Sequence, residues 1–249
     1  MTAILINCDT GERGISNETD LAIMPCLDVA NIACGGHAGD PSSVRFFLDL
    51  ARRHGVIPSA HLSYPDPANF GRMTLKIEAA ALCDSLTAQF RLAAGVTWIK
   101  LHGALYNDSC RDEPLAATLA AWARRHAITH VVTQGDSALA VAARVNGMEV
   151  VEEVYAERRY TLDDRRHLCL VPRNKPYACI QGVDEALAQA RLFIREQSVQ
   201  AVVGERPDGT LITEPRFLRG RTLCVHSDSV ISLRLVKSLH ALIHETGEG

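Results

Sequence analysis

Short runs of β-branched and apolar residues alternate with amphipathic segments along the whole chain, and this alternation limits the fold more than any other feature. The runs that we predict to be strands span residues 3–7, 29–33, 56–60, 98–101, 130–133, 150–155, 201–203 and 222–226. Strands that alternate with helices predict a parallel sheet covered by helices and joined by right-handed connections. Such a sheet either closes into a barrel or stays open and doubly wound.

Two features favour the closed α/β barrel. The number of predicted strands is near eight, and polar motifs follow successive strands along the whole chain rather than at one switch point. The segment 158–180 is less regular and carries a charged turn, which predicts a hairpin or excursion outside the barrel. We therefore expect a single barrel domain over residues 1–249, with about seven strands and some irregularity.

Charge and hydropathy argue against several classes of protein. The net charge of −3 and the isoelectric point near 6.4 do not fit a nucleic-acid-binding surface, which is normally basic. No run of about 18 uncharged apolar residues predicts a membrane span. The first residues carry no basic segment typical of a secretory signal, so we expect a cytoplasmic protein.

The chain contains 8 cysteines, but none of them forms a Cys-x-x-Cys pair. Zinc ribbons and redox dithiols need two thiolates a few residues apart, so neither is predicted. We expect reduced and mostly buried thiols that pack as small hydrophobic groups. Cys34 is the thiol of most interest because it lies within the longest polar motif.

Polar motifs follow the predicted strands at the ends that a barrel brings to one mouth. In chain order they read NCDTGE, CGGHAGDP, HLSYPD with NFGR, KLHGALYN, ERRY and HSD. Barrel enzymes keep their active sites at this mouth. The predicted ring comprises Asp9, Glu12, His37, His61, Lys100, His102, Arg158 and His226. Such a set concentrates general acids, general bases and cations around one cavity.

Several members of this ring have a structural alternative. His61 and His102 end strands and could be core histidines with satisfied hydrogen bonds. Lys100 could point outward to the helices, although an inward ammonium would stabilise an oxyanion or a carboxylate. Arg158 could pair with Glu157 or Asp163, whereas its guanidinium is also suited to a substrate carboxylate.

Three common nucleotide-binding and nucleophile motifs are absent from the sequence. It contains no Gly-x-x-x-x-Gly-Lys loop, no Gly-x-Gly-x-x-Gly after a strand and no Gly-x-Ser-x-Gly elbow. A nucleotide site built by this chain alone is therefore not predicted.

The motifs, taken together and in order from residue 7 to residue 228, resemble the sequence blocks of the LamB/YcsF family. The resemblance implies a barrel of the glycoside hydrolase/deacetylase type with about seven β/α units. It also implies the A subunit of a bacterial 5-oxoprolinase, which works with subunits B and C. That enzyme opens 5-oxo-L-proline (pyroglutamate) to L-glutamate with hydrolysis of ATP, and ATP with Mg²⁺ would be handled together with the partner subunits.

The resemblance also implies roles for individual residues. The expected catalytic set is Asp9, Glu12, His37, His61, His102 and Lys100. Within it, Asp9 is the base or water-orienting acid supported by Glu12, and Lys100 polarises the carbonyl. The three histidines are acid/base or metal-type groups. The expected substrate-binding set is Arg158, Tyr106, Asn107 and His226, with Arg158 on the substrate carboxylate.

The chain also departs from the usual family pattern. Gly36 stands where phenylalanine is usual, and Leu62 and Leu101 stand where prolines are usual, which we expect to alter the rim of the pocket. A metal-dependent amidase or deacetylase, with an ion held by Asp9, His37 and His61, is therefore an alternative function. A regulatory or carrier protein that binds a small carboxylic acid is a third. The sequence is compatible with a monomer and with a homo-oligomer.

Overall fold

The computed structural model describes residues 4–245. The strands, in chain order, are β1 (Leu5–Thr10), β2 (Val29–Ala33), β3 (Ile57–Leu62), β4 (Trp98–Leu101), β5 (His130–Thr133), β6 (Glu149–Tyr155), β7 (Tyr160–Leu162), β8 (Leu168–Leu170), β9 (Ser198–Glu205), β10 (Leu211–Phe217) and β11 (Thr222–His226). The α-helices are α1 (Glu18–Ile23), α2 (Pro41–Arg53), α3 (Ala79–Leu92), α4 (Gly103–Ser109), α5 (Glu113–Arg125), α6 (Ala138–Val145), α7 (Val183–Glu196) and α8 (Ser232–His240). A π-helical turn, Ala241–Glu245, follows α8.

Seven strands form a closed barrel in the order β1-β11-β6-β5-β4-β3-β2, and all neighbouring pairs are parallel. The predicted α/β barrel of about seven strands is therefore confirmed. The strand predicted over 3–7 corresponds to β1, although Ala3 lies outside the described residues. The strands predicted after it are close to β2–β6 and β11 in their bounds.

One predicted barrel strand belongs elsewhere. Residues 201–203 lie within β9, which is part of a separate sheet with the strand order β10-β9-β7-β8. Strand β9 pairs antiparallel with β10 and parallel with β7. The placement of 201–203 in the barrel was wrong because a β-branched run predicts a strand but not the sheet that it joins.

The predicted excursion after the sixth barrel strand is confirmed. Strands β7 and β8 form an antiparallel hairpin within the segment 158–180, with Tyr160 opposite Leu170. Because β7 also pairs with β9, this hairpin is part of the second sheet, in which β7 is a central strand and β8 an edge strand. The chain leaves the barrel after β6, forms β7, β8, α7, β9 and β10, and returns to the barrel at β11. The extension of one domain over 1–249 stays a prediction.

The helices pack against the outside of the barrel through apolar stripes, as helix α2 illustrates. Its residues Val44, Phe47 and Ala51 are fully buried. The Asp40 side chain accepts hydrogen bonds from the backbone N–H groups of Ser42 and Ser43 and so caps the first turn. Within residues 4–245, no helix is both long enough and apolar enough to cross a membrane.

Strand register brings the polar motifs to one end of the barrel. Asp9 at the end of β1 lies opposite His226 of β11 and Asn31 of β2. His61 at the end of β3 lies opposite Lys100 of β4. Parallel strands present their carboxyl ends at the same rim, so residues distant in sequence meet around one cavity.

Candidate active site at the barrel mouth

A cavity of about 1100 Å³ opens at the carboxyl ends of the barrel strands. Nine of the ten predicted site residues line it, namely Asp9, Glu12, His61, Lys100, His102, Tyr106, Asn107, Arg158 and His226. The tenth, His37, is buried against Glu12, with 3.0 Å between its Nε2 and Glu12 Oε1. Residues of the second sheet, among them Leu162, Leu170 and Phe217, line the same cavity. The second sheet therefore forms part of the wall of the site.

Lys100 points into the barrel and not outward. Its Nζ lies 2.9 Å from Asp9 Oδ1, 2.8 Å from Glu153 Oε1 and 3.3 Å from Asn7 Oδ1. Burial alone would lower the pKa of Lys100, but the neighbouring acidic groups, above all Asp9, raise it well above its usual value. Lys100 is therefore a buried ammonium between two carboxylates.

Asp9 is held as a carboxylate that faces the histidines. Its Oδ1 accepts hydrogen bonds from Lys100 Nζ and, at 3.0 Å, from Asn31 Nδ2. Its Oδ2 lies 3.3 Å from His61 Nε2. Burial alone would raise the pKa of Asp9, but His61 and then Lys100 outweigh that effect and hold it well below its usual value. This side chain can orient water or accept a proton beside His61.

Glu12 and three histidines form a compact cluster beside Asp9. Glu12 Oε1 lies 3.0 Å from His37 Nε2, 3.3 Å from His102 Nδ1 and 3.7 Å from His61 Nε2. His61 Nε2 lies 3.0 Å from His102 Nδ1. The four side chains can offer donor atoms that all lie within 4.8 Å of one another, a spacing that suits a metal ion.

Burial has opposite effects on the acid and the imidazoles of this cluster. Burial, together with the Asp9 charge, raises the pKa of Glu12 to about 7. Burial lowers the pKa of His37 to about 4. Burial, and then the charges of His61 and His37, lowers the pKa of His102 strongly. His37 and His102 are therefore neutral imidazoles, the form that can bind a metal ion.

The NFGR motif folds over the histidine cluster. Phe70 and Gly71 both have positive φ angles, 54° and 63°. This turn points the Phe70 carbonyl at His102, whose Nε2 donates to it over 3.0 Å. The Phe70 ring makes edge contacts with His37 and His102, at centroid distances of 5.2 and 5.4 Å. A non-glycine residue in this conformation stores strain, which is common at functional sites.

Arg158 is buried at the side of the cavity. Its Nη2 donates to the Val171 carbonyl over 2.8 Å and its Nε to the Ala178 carbonyl over 3.3 Å. The alternative in which Arg158 pairs with Glu157 is not what the structure shows. Burial, and then the Arg173 guanidinium, lowers the pKa of Arg158. The Arg158 guanidinium thus bonds two neutral carbonyl groups, and the residue lines the cavity.

His226 is the imidazole on the same side of the cavity. Its Nδ1 and backbone N–H bond the Glu157 carboxylate, and its Nε2 lies 3.2 Å from Arg173 Nη2. The ring stacks on Tyr155 at a centroid distance of 5.6 Å. These contacts fix the orientation of the imidazole at the cavity wall.

The two remaining predicted residues differ in how free they are to bind a ligand. The Tyr106 hydroxyl is buried and donates its hydrogen to Glu153 Oε2 over 2.9 Å. It therefore stabilises the wall of the cavity and is not free to donate to a ligand. Asn107 is exposed on the cavity surface and can contact a bound molecule.

Sequence reasoning missed Glu153 of β6. Its carboxylate is buried between Lys100 and Tyr106, whereas the preceding Glu152 lies nearer the surface and pairs with Arg144 at 2.7 Å. Successive strand residues face opposite sides, so one of two consecutive acids in a barrel strand must face the interior. That pattern in VVEEVY was the available signal.

The carboxylate that contacts all three imidazoles is that of Glu12. Asp9 was predicted as the carboxylate ligand with His37 and His61. Of the three imidazoles in the cluster, only that of His61 lies within 4.0 Å of the Asp9 carboxylate. His102 takes the third imidazole position. The ligand set that the structure presents therefore has three nitrogens and one oxygen.

All 8 cysteines are free in the structure, and their reduced state stays a prediction. Only Cys8, Cys34 and Cys224 are buried, and the rest are partly exposed, so the expectation of mostly buried thiols was wrong. Cys34 Sγ lies 3.0 Å from the Ile32 carbonyl oxygen, and burial raises its pKa to about 12. Cys34 is therefore an unreactive thiol despite its motif.

Comparisons with known proteins agree with the fold and with the motifs. The model of the LamB/YcsF family matches residues 4–248. The A subunit of 5-oxoprolinase from Bordetella parapertussis is 35% identical, over 98% of this chain and 96% of the relative. That of Tolumonas auensis is 36% identical, over 99% of this chain and 98% of the relative. The crystal structure of a lactam utilization protein from Thermus thermophilus has a TM-score of 0.81 at 27% identity, over 98% of this chain and 97% of that one.

Proposed function

The chain belongs to the LamB/YcsF family, and we propose that it is the A subunit of an ATP-dependent 5-oxoprolinase. In this function it opens the lactam ring of 5-oxo-L-proline and releases L-glutamate. One observation carries the proposal: an ionised Asp9, a histidine cluster and the Arg158 side chain converge on one cavity at the barrel mouth. Hydrolysis of an amide that carries a carboxylate needs such a set of groups.

The lactam amide is resonance-stabilised, so water attacks it slowly unless its carbonyl is activated. In the proposed reaction ATP transfers a phosphoryl group to the carbonyl oxygen and leaves as ADP. Water then adds to the activated carbon, the ring C–N bond breaks, and the nitrogen takes up a proton to become the amino group of glutamate. The phosphoryl group is released as phosphate by a second water molecule.

Asp9 is suited to the water-activating role. Its Oδ1 is held by Lys100 and Asn31, which leaves Oδ2 facing His61 and the cavity. A carboxylate whose pKa is kept low stays ionised, so it can orient water and accept a proton from it. We assign both the orientation of water and the acceptance of its proton to Asp9.

The contacts of Lys100 favour a positioning role over the predicted polarisation of the carbonyl. An ammonium group has three hydrogens to donate. Its hydrogen bonds go to Asp9 Oδ1, Asn7 Oδ1 and Cys224 Sγ, and Glu153 Oε1 is an ion-pair partner at 2.8 Å. Lys100 therefore holds Asp9 in place and stabilises the negative charge of the Asp9 carboxylate in the barrel interior.

Arg158 is proposed to hold the substrate carboxylate, next to a His226 ring whose Nδ1 donates to Glu157 and whose Nε2 accepts from Arg173. The Arg158 guanidinium is anchored by two backbone carbonyls, and the His226 imidazole is fixed by Glu157. Both side chains line the cavity that Asp9 also lines. A cation without a carboxylate partner at a cavity wall favours an anionic ligand.

The phosphoryl-transfer step is proposed to need partner chains. The Bordetella and Tolumonas relatives are each named as one lettered subunit of 5-oxoprolinase, which implies that other subunits exist. We propose that these are 5-oxoprolinase subunits B and C, and that ATP with Mg²⁺ is bound with their help. This division fits a chain without a phosphate-binding loop.

The test is glutamate formation from 5-oxo-L-proline, with ATP and Mg²⁺, by this chain with and without its B and C partners. We expect stoichiometric glutamate and ADP only in the full mixture, and none when this chain is omitted. Folded protein that produces no glutamate in any combination would contradict the proposal. Hydrolysis of simple amides by the chain alone, without ATP, would favour the metal-dependent amidase instead.

A further inference from the structure

The separations within the histidine cluster match those around a tetrahedral metal ion. A zinc ion with bonds of about 2.0–2.1 Å holds its nitrogen and oxygen ligands roughly 3.3–3.4 Å apart. Glu12 Oε1 lies 3.0 Å from His37 Nε2, 3.3 Å from His102 Nδ1 and 3.7 Å from His61 Nε2, and the last two nitrogens are 3.0 Å apart. Four of the six edges of such a tetrahedron are thus already present.

The hydrogen bonds at the far side of two rings leave lone pairs facing the centre. His61 Nδ1 lies 3.2 Å from the Lys100 carbonyl oxygen, and His102 Nε2 lies 3.0 Å from the Phe70 carbonyl oxygen. A carbonyl can only accept, so each of these nitrogens is the donor of its ring. In a neutral ring the opposite nitrogen then carries a lone pair. Backbone carbonyls orient metal-binding histidines in this way.

Two lone pairs 3.0 Å apart repel each other unless a positive charge lies between them. A single proton could bridge His61 and His102, but it would leave His37 and Glu12 outside the shared bond. A metal ion satisfies all four side chains at once. The metal content of the purified chain and its binding of Co²⁺ distinguish a shared proton from a metal ion.

His37 differs from the other two rings in its outer nitrogen. It is 2% exposed, and its Nδ1 has no hydrogen-bond partner among residues 4–245. A buried polar atom without a partner is unfavourable by about 1–3 kcal/mol. His37 Nε2, which lies 3.0 Å from Glu12 Oε1, is therefore the nitrogen that this ring can offer to an ion.

The surrounding backbone is shaped around this cluster. The left-handed turn at Phe70 and Gly71 supplies the carbonyl that orients His102. A side chain on Gly71 would place its Cβ 2.9 Å from His37 Cβ and 3.2 Å from His102 Cδ2. The close approach of this turn rigidifies the imidazoles, as a metal site requires.

We infer that Glu12, His37, His61 and His102 bind one divalent transition-metal ion of the zinc class. Three imidazole nitrogens and one carboxylate suit zinc, cobalt or nickel, whereas Mg²⁺ and Ca²⁺ prefer oxygen ligands. This ion is therefore distinct from the Mg²⁺ that accompanies ATP. Metal binding does not depend on the proposed function. Any role of the ion in opening the lactam does rest on the proposed function.

The first experiment measures the metal content of the full chain, purified without a polyhistidine tag, by inductively coupled plasma mass spectrometry. We expect about one zinc-class ion per chain, which excess Mg²⁺ does not displace. After removal of the metal with a chelator, addition of Co²⁺ should give the visible absorption of a four-coordinate cobalt site, saturating at one equivalent.

Variants locate the ion. We expect Glu12→Gln and His102→Gln each to weaken cobalt binding by about 10-fold or more, because outer contacts alone change metal affinity by this amount. His130→Gln is the matched control, since His130 stacks on Trp98 at the start of β5 and belongs to no part of the cluster. Circular dichroism of each variant shows whether it is folded, and Glu12→Gln, at a partly exposed position, is the change least expected to disturb folding.

Two results would overturn the inference. One is a folded wild-type chain that neither contains zinc-class metal nor binds Co²⁺, which would assign the cluster to a shared proton. The other is full cobalt binding in both cluster variants. Loss of metal with unchanged 5-oxoproline turnover would leave the proposed function standing, and bound metal without turnover would leave the metal site standing.

Discussion

Lys100 Nζ lies 2.8 Å from Glu153 Oε1, and this buried pair joins strands β4 and β6 through the interior of the barrel. The Glu153 carboxylate also accepts a hydrogen bond from the Tyr106 hydroxyl, and Lys100 reaches Asp9 on its other side. A charge buried on one strand is thus balanced by charges on two others. The same contacts that stabilise the barrel therefore orient the carboxylate proposed to activate water.

Replacement of Lys100 should destabilise the chain strongly. In Lys100→Met the carboxylates of Asp9 and Glu153 lose the ammonium that lies between them. Breaking a buried ion pair by removing one partner costs about 3–5 kcal/mol. Urea denaturation followed by circular dichroism measures this loss.

The double variant Lys100→Met/Glu153→Gln is the control for that prediction. Replacing the Glu153 carboxylate by a neutral amide should restore part of the stability, because the variant then has one unpaired buried carboxylate fewer. Equal stability of wild type and Lys100→Met would show that Lys100 carries no interior charge in solution. A double variant that is less stable than strict additivity would show that the charges do not compensate each other.

Asp9→Asn separates the proposed base from the proposed metal ligands. The amide keeps the size of the side chain and can still bond Lys100 or Asn31, but it cannot accept a proton from water. We expect glutamate formation by the assembled enzyme to fall by about 10²–10⁴-fold. Cobalt binding should persist, because Asp9 lies outside the four-residue cluster. Retained turnover would remove Asp9 from the reaction, and lost cobalt binding would make it a ligand.

Much of the barrel could be predicted because each of its strands leaves a local pattern. The runs at 98–101 and 130–133 coincide with β4 and β5, since buried parallel strands are short and continuously apolar. The run at 201–203 has the same composition, yet it pairs with β7 and β10 in the second sheet. Local composition predicts that a strand forms, whereas its neighbours depend on contacts between distant residues.

The candidate site was predictable where polar residues follow strands and less so where they lie within them. Asp9 and His61 could be found from their place at strand ends. Glu153 lies inside β6, and its inward direction depends on the register of the barrel. The orientation of His102 depends on the Phe70 carbonyl, a backbone contact across 32 residues that no side-chain pattern reveals.

Not all of the departures from the family pattern lie at the rim of the pocket, where they were expected. Leu101 lines the cavity, as expected of a residue that alters its rim, whereas Leu62 is fully buried and is not among the lining residues. Gly36 is not among the cavity-lining residues, and a Cβ there would lie 2.4 Å from both Gln89 Oε1 and Ser63 Oγ. The Gln89 amide fills this space and bonds the backbone of Ser63. The missing side chain at position 36 is thus compensated by packing behind the site.

Gly71→Ala should disturb the histidine cluster as well as the backbone. Gly71 has a φ of 63°, and its added Cβ would lie 2.9 Å from His37 Cβ. Gly147→Ala is the matched control, because its φ of 79° is also positive but nothing lies within 4 Å of the added Cβ. We expect both variants to lose about 1 kcal/mol from the backbone alone. Only Gly71→Ala should also weaken cobalt binding, which calorimetric titration measures; equal binding in both would show that the turn does not support the ligands.

The buried thiols should resist modification in the native protein. Burial raises the pKa of Cys8 and Cys224 well above the usual value, and that of Cys34 to about 12. Thiols react as thiolates, so these three should react with a disulfide reagent only after denaturation. Mass spectrometry of the labelled peptides checks this. Labelling of Cys34 in the folded chain, at a rate like that of a partly exposed thiol, would contradict its assignment as an unreactive group.

Arg158→Lys tests the binding of the substrate carboxylate. The guanidinium bonds the Val171 and Ala178 carbonyls and still faces the cavity, and a lysine cannot make this forked arrangement. We expect KM for 5-oxo-L-proline to rise by about 10-fold or more, with a smaller change in kcat. Arg166→Lys is the control, because Arg166 lines the outer cavity but pairs with Glu214 at the surface. An unchanged KM would exclude the carboxylate role, whereas a fall in kcat alone would mean that Arg158 acts on the reacting amide.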